Sequence, residues 1–205
     1  MRILLAKITH PYQIPSDNHK KCRKQWNFLL YFPVLIFKRQ MDFTLRPWQL
    51  SDLNKLVEFA DNYEIAKNLT NHFPHPYTRE SGEGFIGMAS KKEPYNIFAI
   101  DVSGEAVGAI GVHPQGDIFC KNAEMGYWLA EPFWGKGIMT AAIQRMLTYS
   151  FKTWDIDRVF ARPFGSNKGS QRVLEKAGFV LEGRFEKTIW KDGRYEDELV
   201  YAFRK

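Results

Sequence analysis

Trp134-Gly135-Lys136-Gly137 sits between a β-rich run and a helical one, a spacing that can hold an anion. The first amides of a helix have no partner within it, and the helix dipole turns its positive end toward the preceding residues. Gly135 and Gly137 let backbone approach a bulky phosphate, and Lys136 adds a positive charge. The spacing is not that of a Walker loop, which needs a longer gap before Gly-Lys and a following Ser or Thr, nor is it a dinucleotide GxGxxG. Taken alone, the same four residues also suit an ordinary strand–helix connection. No metal site is expected. His72 and His75 are three apart, but Pro74 and Pro76 make a loop of that segment.

The elements that must position this turn follow from periodicity. Residues 123–130 read as a strand, with Met125, Tyr127 and Leu129 on one face. Residues 137–151 read as a helix with Met139, Ala142, Ile143, Met146, Leu147 and Ser150 as its mostly apolar stripe. Upstream, 41–46 is a strand, followed by a helix that Ser51 or Asp52 can cap, with Leu53, Leu56, Val57 and Ala60 on one face. Residues 63–77 read as a loop, and Thr78 can cap a weak, glycine-rich helix carrying Phe85, Ile86, Met88 and Ala89. Strands 96–102 and 106–112 are joined by Ser103-Gly104, and Gln115-Gly-Asp117 turns into strand 123–130. Downstream come strand 158–162 and helix 167–177, capped by Ser166 or Asn167 and stopped by Gly178. Strand 179–190 is expected to alternate. Phe179, Leu181, Gly183, Phe185 and Ile189 face one way, and Glu182, Arg184, Glu186 and Thr188 the other. Asp192-Gly193 is a hairpin turn into strand 195–203. The strand–helix–strand unit from 123 to 162 implies a right-handed crossover and local parallel pairing.

This order is an α+β (α/β/α) arrangement. Over about residues 43 to 203 it resembles the GNAT N-acetyltransferase superfamily, in its RimJ/RimL-like ribosomal-protein branch. The residues that carry the resemblance are Leu45-Arg46-Pro47-Trp48, Trp134-Gly-Lys-Gly137, Asn167-x-x-Ser170, Val173-Leu-Glu-Lys-Ala-Gly-Phe179, Glu182-Gly183 and Asp192-Gly-Arg-Tyr-x-Asp197. Against the superfamily pattern Arg/Gln-x-x-Gly-x-Gly/Ala, Gly137 matches, Trp134 stands at the Arg/Gln position and Met139 at the Gly/Ala position. The Met139 side chain either narrows the phosphate cradle or points into the core and leaves it open. The resemblance implies a GNAT fold. Its sheet is mixed, mostly antiparallel and twisted, with about seven strands, flanked by helices and splayed between 123–130 and 158–162.

The implied reaction is transfer of acetyl from acetyl-CoA, as co-substrate, to a primary amine by direct attack in a ternary complex. The resemblance places the cofactor on Leu129, Trp134, Gly135, Lys136, Gly137, Ile138, Met139, Thr140 and Asn167. The pantetheine arm would pair with the end of strand 123–130. Gly126 is either the bulge that opens the sheet there or a packing residue. An amine at neutral pH must lose a proton before it attacks. Ala123-Glu124-Met125 aligns with family members that use this glutamate as general base, though an acid at a strand start also suits solvent. The family's usual thiolate donor is a tyrosine, and Leu174 stands in its place. Ser170 is the branch's alternative, and is equally a first-turn helix serine. Asn167 can contact the cofactor, cap the helix, or do both. The superfamily's acceptors include protein N-terminal amines, polyamines, antibiotics and small metabolite amines. The missing tyrosine and Met139 also admit a non-catalytic acyl-CoA-binding module.

Composition bounds the remaining choices. The formal net charge is +6, but residues 1–40 hold eight basic side chains against one acid, Asp17, so the rest is near neutral and offers no electrostatic case for nucleic acid. Cys22 and Cys120 make neither a metal pattern nor a disulfide framework, which suits a reducing cytoplasm. Residues 1–40 form an N-terminal extension before a domain at 41–205. Its apolar run Trp26 to Phe37 is too short to span a bilayer, and an interfacial anchor or a poorly ordered leader both fit it. The expected partner is the amine acceptor, with no stable membrane insertion and a monomer or homodimer.

Overall fold

Period-two and helical runs become seven strands and five α-helices in the computed structural model, which describes residues 41–91 and 93–205. The expected extension lies outside these residues. In chain order the elements are β1 (Thr44–Arg46), α1 (Leu53–Ala60), α2 (Tyr63–Ala66), α3 (Arg79–Ala89), β2 (Ile97–Val102), β3 (Glu105–Pro114) and β4 (Asn122–Leu129). Then come α4 (Ile138–Thr153), β5 (Arg158–Ala161), α5 (Lys168–Lys176), β6 (Val180–Lys191) and β7 (Arg194–Arg204). They form one sheet in the order β1-β2-β3-β4-β5-β7-β6. Every neighbouring pair is antiparallel except β4 and β5, which the helix α4 connects.

Each face of the sheet buries one core. Alternate β4 residues Ala123, Met125 and Leu129 join Ile143, Met146 and Leu174 of α4 and α5. Trp128, one residue out of phase, joins Leu53 and Leu56 of α1 and Ile86 of α3 on the opposite face. One glycine of α3, Gly82, has a packing reason. A Cβ on Gly82 would lie 2.7 Å from Leu53 Cδ1, so its absence lets α3 settle on α1. Thr78 and Asn167 cap as expected, accepting from the amides of Ser81 and Ser170. Gly178, at φ +95°, ends α5.

Four local expectations change. Neither Ser51 nor Asp52 caps α1 with its side chain. A 3-10 turn, Leu50–Asp52, precedes the helix, and Asp52 instead accepts from the Gln49 amide at 2.9 Å in a capping box. The segment read as a loop begins with the short α2, capped by Asn62, whose side chain accepts from the Glu64 amide at 2.7 Å. Alternation fails along β6, whose register against β7 shifts between Leu181 and Gly183 and again between Phe185 and Ile189. Asp197 holds the second irregularity by accepting from the Lys187 amide, where φ is +55°, and from Arg184. Leu181 and Phe185 consequently stand about half exposed. Gly126 is not a bulge, because the β3–β4 register is continuous from Ala123 to Leu129.

The sheet opens from the β5 side instead. β4 and β5 pair only from Asn122 to Glu124. After Ala161 the chain turns to β7. The Pro163 carbonyl accepts from Leu199, the Gly165 amide donates to Asp197, and Phe164 bridges Glu198. Leu129 and its neighbours are thereby left without a strand on that side.

Arg46 ties the first strands to α1. Its guanidinium meets both Asp52 carboxylate oxygens, at 2.7 and 2.8 Å, and Asp101 at 2.7 Å. Burial pushes the Asp52 carboxyl up, but the Arg46 pair and the Gln49 amide outweigh it and hold it below the usual aspartate range. Replacing Arg46 by methionine strands a carboxylate whose side chain is 8% exposed, and is expected to cost about 3 kcal/mol, read as a lower melting temperature. Because the folded pKa of Asp52 is depressed, its contribution is full at neutral pH and is lost as pH falls through the folded value. The gap between wild type and variant should therefore narrow in acid melts.

Candidate active site

The opened edge, the glycine turn and α5 enclose a cavity of about 600 Å³. Of the residues singled out from sequence, Leu129, Trp134, Gly135, Gly137, Ile138, Met139, Thr140, Asn167 and Ser170 line it. Lys136 does not, and its ammonium lies over the Phe133 ring, 5.2 Å from the centroid. Met139 is 7% exposed and belongs to the α4–α5 core, so its bulk leaves the turn open.

At the turn, Gly135 and Gly137 have φ of +71° and +79°, which other residues adopt only with strain, and a Cβ on either would meet nothing within 4 Å. Gly137 is the residue before α4, and Ala141 is the first to make the helical bond back to it, at 3.2 Å. The amides of the intervening first turn have no helical acceptor and sit at the positive end of a 16-residue helix. Trp134 closes the turn against the strand by donating its indole N–H to the Leu129 carbonyl at 2.6 Å. Open space, aimed amides and a helix start fit a pyrophosphate.

The edge of β4 supplies a second docking element. Ala130 donates to Val107 of β3, and the Asn122 carbonyl accepts from Gln115, so even-numbered backbone groups face β3. The amides of Tyr127 and Leu129 then face the side that β5 has left. That edge can take an extended amide chain as an added strand.

Two groupings escaped the sequence reading. Tyr127, legible in sequence only as one of three residues on one face of strand 123–130, lines the cavity and bonds through its hydroxyl to Ser170 Oγ at 2.7 Å. Burial pushes that hydroxyl up, more than Ser170 lowers it, so it stays protonated. Leu174, at 0% exposure, turns from α5 into the core and offers no donor. The second grouping is the rim. Lys168, Arg172 and Lys176 recur at every fourth position of α5 and line the cavity with Lys67 of the segment after α2. The i, i+4 spacing was a readable signal of one basic helix face.

Glu124 lies outside the cavity lining, on the Trp128 face of β4, where backbone pairing with β5 stops. Arg162 grips it through Nε at 2.9 Å and Nη2 at 3.2 Å, and reaches Glu198 at 3.3 Å through Nη1. The triad clasps β4, the end of β5 and β7 at the apex of the opening. The Glu124 side chain keeps 31% exposure. Other acids of the hairpin are paired as well: Glu182 meets Arg158 and Arg204, Glu196 meets Arg194, and Asp197 meets Arg184. Among the described residues no group of three or more His, Cys, Asp or Glu is placed to hold a metal ion, and no helix is long and apolar enough to cross a membrane.

Residues 42–180 match the family model described as an acetyltransferase (GNAT) domain. The Bacillus subtilis relative YdaF is 35% identical over 102 residues, 50% of this chain, which thus spans about half (55%) of that relative's length. The ribosomal-protein-serine acetyltransferase of Escherichia coli is 28% identical over 125 residues, 61% of this chain and 69% of its own. Mycobacterium smegmatis RimJ, solved in complex with CoA-disulfide, shares the fold at a TM-score of 0.69 and 24% identity, covering 80% of this chain and 83% of that one.

Proposed function

Because the chain belongs to the GNAT acetyltransferase family, we propose that it moves acetyl from acetyl-CoA to the α-amine of a protein N-terminus, by direct attack in a ternary complex. The observation that carries this is the single cavity running from the Gly135–Thr140 turn, along the open β4 edge, to Ser170. The relatives named for ribosomal proteins favour a protein acceptor over a small amine. Residues 41–205 would form the catalytic domain, working in the cytoplasm as a monomer or homodimer, with 1–40 as an extension.

The residues present fit the cofactor. The amides from Gly135 to Thr140 would hold the pyrophosphate, the Leu129 and Tyr127 edge the pantetheine amides, and the Lys168, Arg172 and Lys176 face any further phosphate. Bound there, acetyl-CoA supplies the acetyl group as a reactive thioester. The chain's own groups do the rest. The Leu129 amide can donate to the thioester oxygen as negative charge grows on it. Glu124, held by Arg162 at the apex, takes the amine proton directly or through one water. Ser170 donates toward the departing sulfur.

The acceptor would enter on the Trp128 face, over Gly126, which is exposed and has nothing within 4 Å of a Cβ position. Gly126→Val should raise the acceptor KM roughly tenfold or more while leaving acetyl-CoA affinity unchanged. The function is tested by thiol release from acetyl-CoA with peptides beginning in serine or alanine. The same peptides with blocked α-amines serve as blanks, and spermidine as the small-amine competitor. Release with free peptides alone supports the reading. Release with spermidine alone moves the acceptor to small amines. Acetyl-CoA binding without release for any amine returns the chain to a non-catalytic binding module, the alternative that Leu174 at the tyrosine position favours.

A further inference from the structure

The cavity holds two hydroxyls in contact, Tyr127 Oη and Ser170 Oγ, 2.7 Å apart, from elements that meet only in the folded chain. Ser170 is fixed from its other side as well, since its amide donates to the Asn167 side chain at 3.0 Å. A phenol is the stronger donor and an aliphatic hydroxyl oxygen the better acceptor. On that chemistry the bridging proton is assigned to Tyr127. That bond occupies an oxygen lone pair of Ser170 and leaves the serine's own proton to point elsewhere in the cavity.

We propose that Tyr127 is a positioning residue for thiolate departure, holding Ser170 so that the serine hydroxyl is directed at the sulfur that leaves. This rests on the acetyl-transfer reading above. In the step concerned, the amine nitrogen bonds to the acetyl carbon, the carbon–sulfur bond breaks and its electron pair goes to sulfur. The proton lost by nitrogen goes to Glu124 or a water beside it. The thiolate is held by the Ser170 O–H until it leaves and takes a proton from solvent. A donor at this place replaces the hydroxyl that Leu174 cannot supply.

The test needs no known acceptor. CoA is bound to the full chain, and its thiol is alkylated with iodoacetamide across a pH series. Alkyl-CoA is measured by chromatography, so that Cys120, which is exposed, does not contribute. A hydrogen bond to the thiolate favours the charged form, so the bound thiol should ionise at lower pH in wild type than in solution. Tyr127→Phe and Ser170→Ala should each raise that midpoint by roughly one pH unit, with the double variant no higher than either single. Ser170→Thr, which keeps the hydroxyl, should restore it. Thiol release with an active peptide should show the same pattern in kcat, with the acetyl-CoA KM little changed. A wild-type midpoint in Tyr127→Phe, or shifts that add in the double variant, would overturn the assignment while leaving acetyl transfer standing. A folded wild type that binds no CoA would overturn both. Melting curves show whether each variant is folded, and Ser170→Ala probes the same pair should Tyr127→Phe not fold.

Discussion

Gly137→Glu is expected to abolish acetyl-CoA binding, weakening it by roughly a hundredfold or more in calorimetric titration, since like charges brought together cost several kcal/mol. Three effects act together. The residue sits at φ +79°, where a side chain strains the backbone. The new side chain occupies the open space before α4. Its carboxylate faces the phosphates that the first-turn amides would hold. The fold should survive, because a negative charge at a helix start is favourable to the helix itself. Gly137→Ala separates the causes, since it keeps the backbone strain and adds no charge. Should the alanine variant bind as weakly as the glutamate, backbone strain rather than charge would be responsible. Wild-type affinity in Gly137→Glu would move the cofactor away from this turn.

Glu124→Gln is expected to lower kcat about a hundredfold, the usual scale for losing a general base, with acetyl-CoA affinity nearly unchanged. The clasp with Arg162 complicates a single substitution, because glutamine also removes half of the ion pair. Arg162→Gln is the control. It breaks the clasp but keeps the carboxylate, and should cost less turnover than Glu124→Gln. Equal losses in the two variants would make the pair a structural strap across the opening. Unchanged turnover in Glu124→Gln would remove the carboxylate from the chemistry.

The order of strands and helices was readable because each carried its own period and its own punctuation. Asp192-Gly193, Gly178 and Thr78 act locally, so local sequence was enough to place them. What could not be read depended on partners far along the chain. The second irregularity of β6 is held by Asp197 of the next strand, and Glu182 is engaged by Arg158 and Arg204. Gly126 reads equally as a bulge that opens the sheet or as a packing residue, and the opening comes instead from the chain after Ala161 following β7. The site divides in the same way. The glycine turn was visible as a motif, because helix amides act over a few consecutive residues. The Tyr127–Ser170 and Glu124–Arg162 contacts span 43 and 38 residues, and no periodicity reports such pairs. Trp134 is intermediate. Its departure from the superfamily's Arg or Gln was plain in sequence, but only the fold shows its indole closing the turn onto Leu129.

The central claim is that acetyl leaves acetyl-CoA and arrives on an α-amine. The most direct measurement is mass spectrometry of a serine- or alanine-starting peptide after incubation with the full chain and acetyl-CoA, with the modified atom located by fragmentation. One acetyl group on the N-terminal nitrogen, formed in step with free CoA and absent with Gly137→Glu, is the expected result. Free CoA without acetylated peptide, or acetylation equal to that in the enzyme-free blank, would contradict the account.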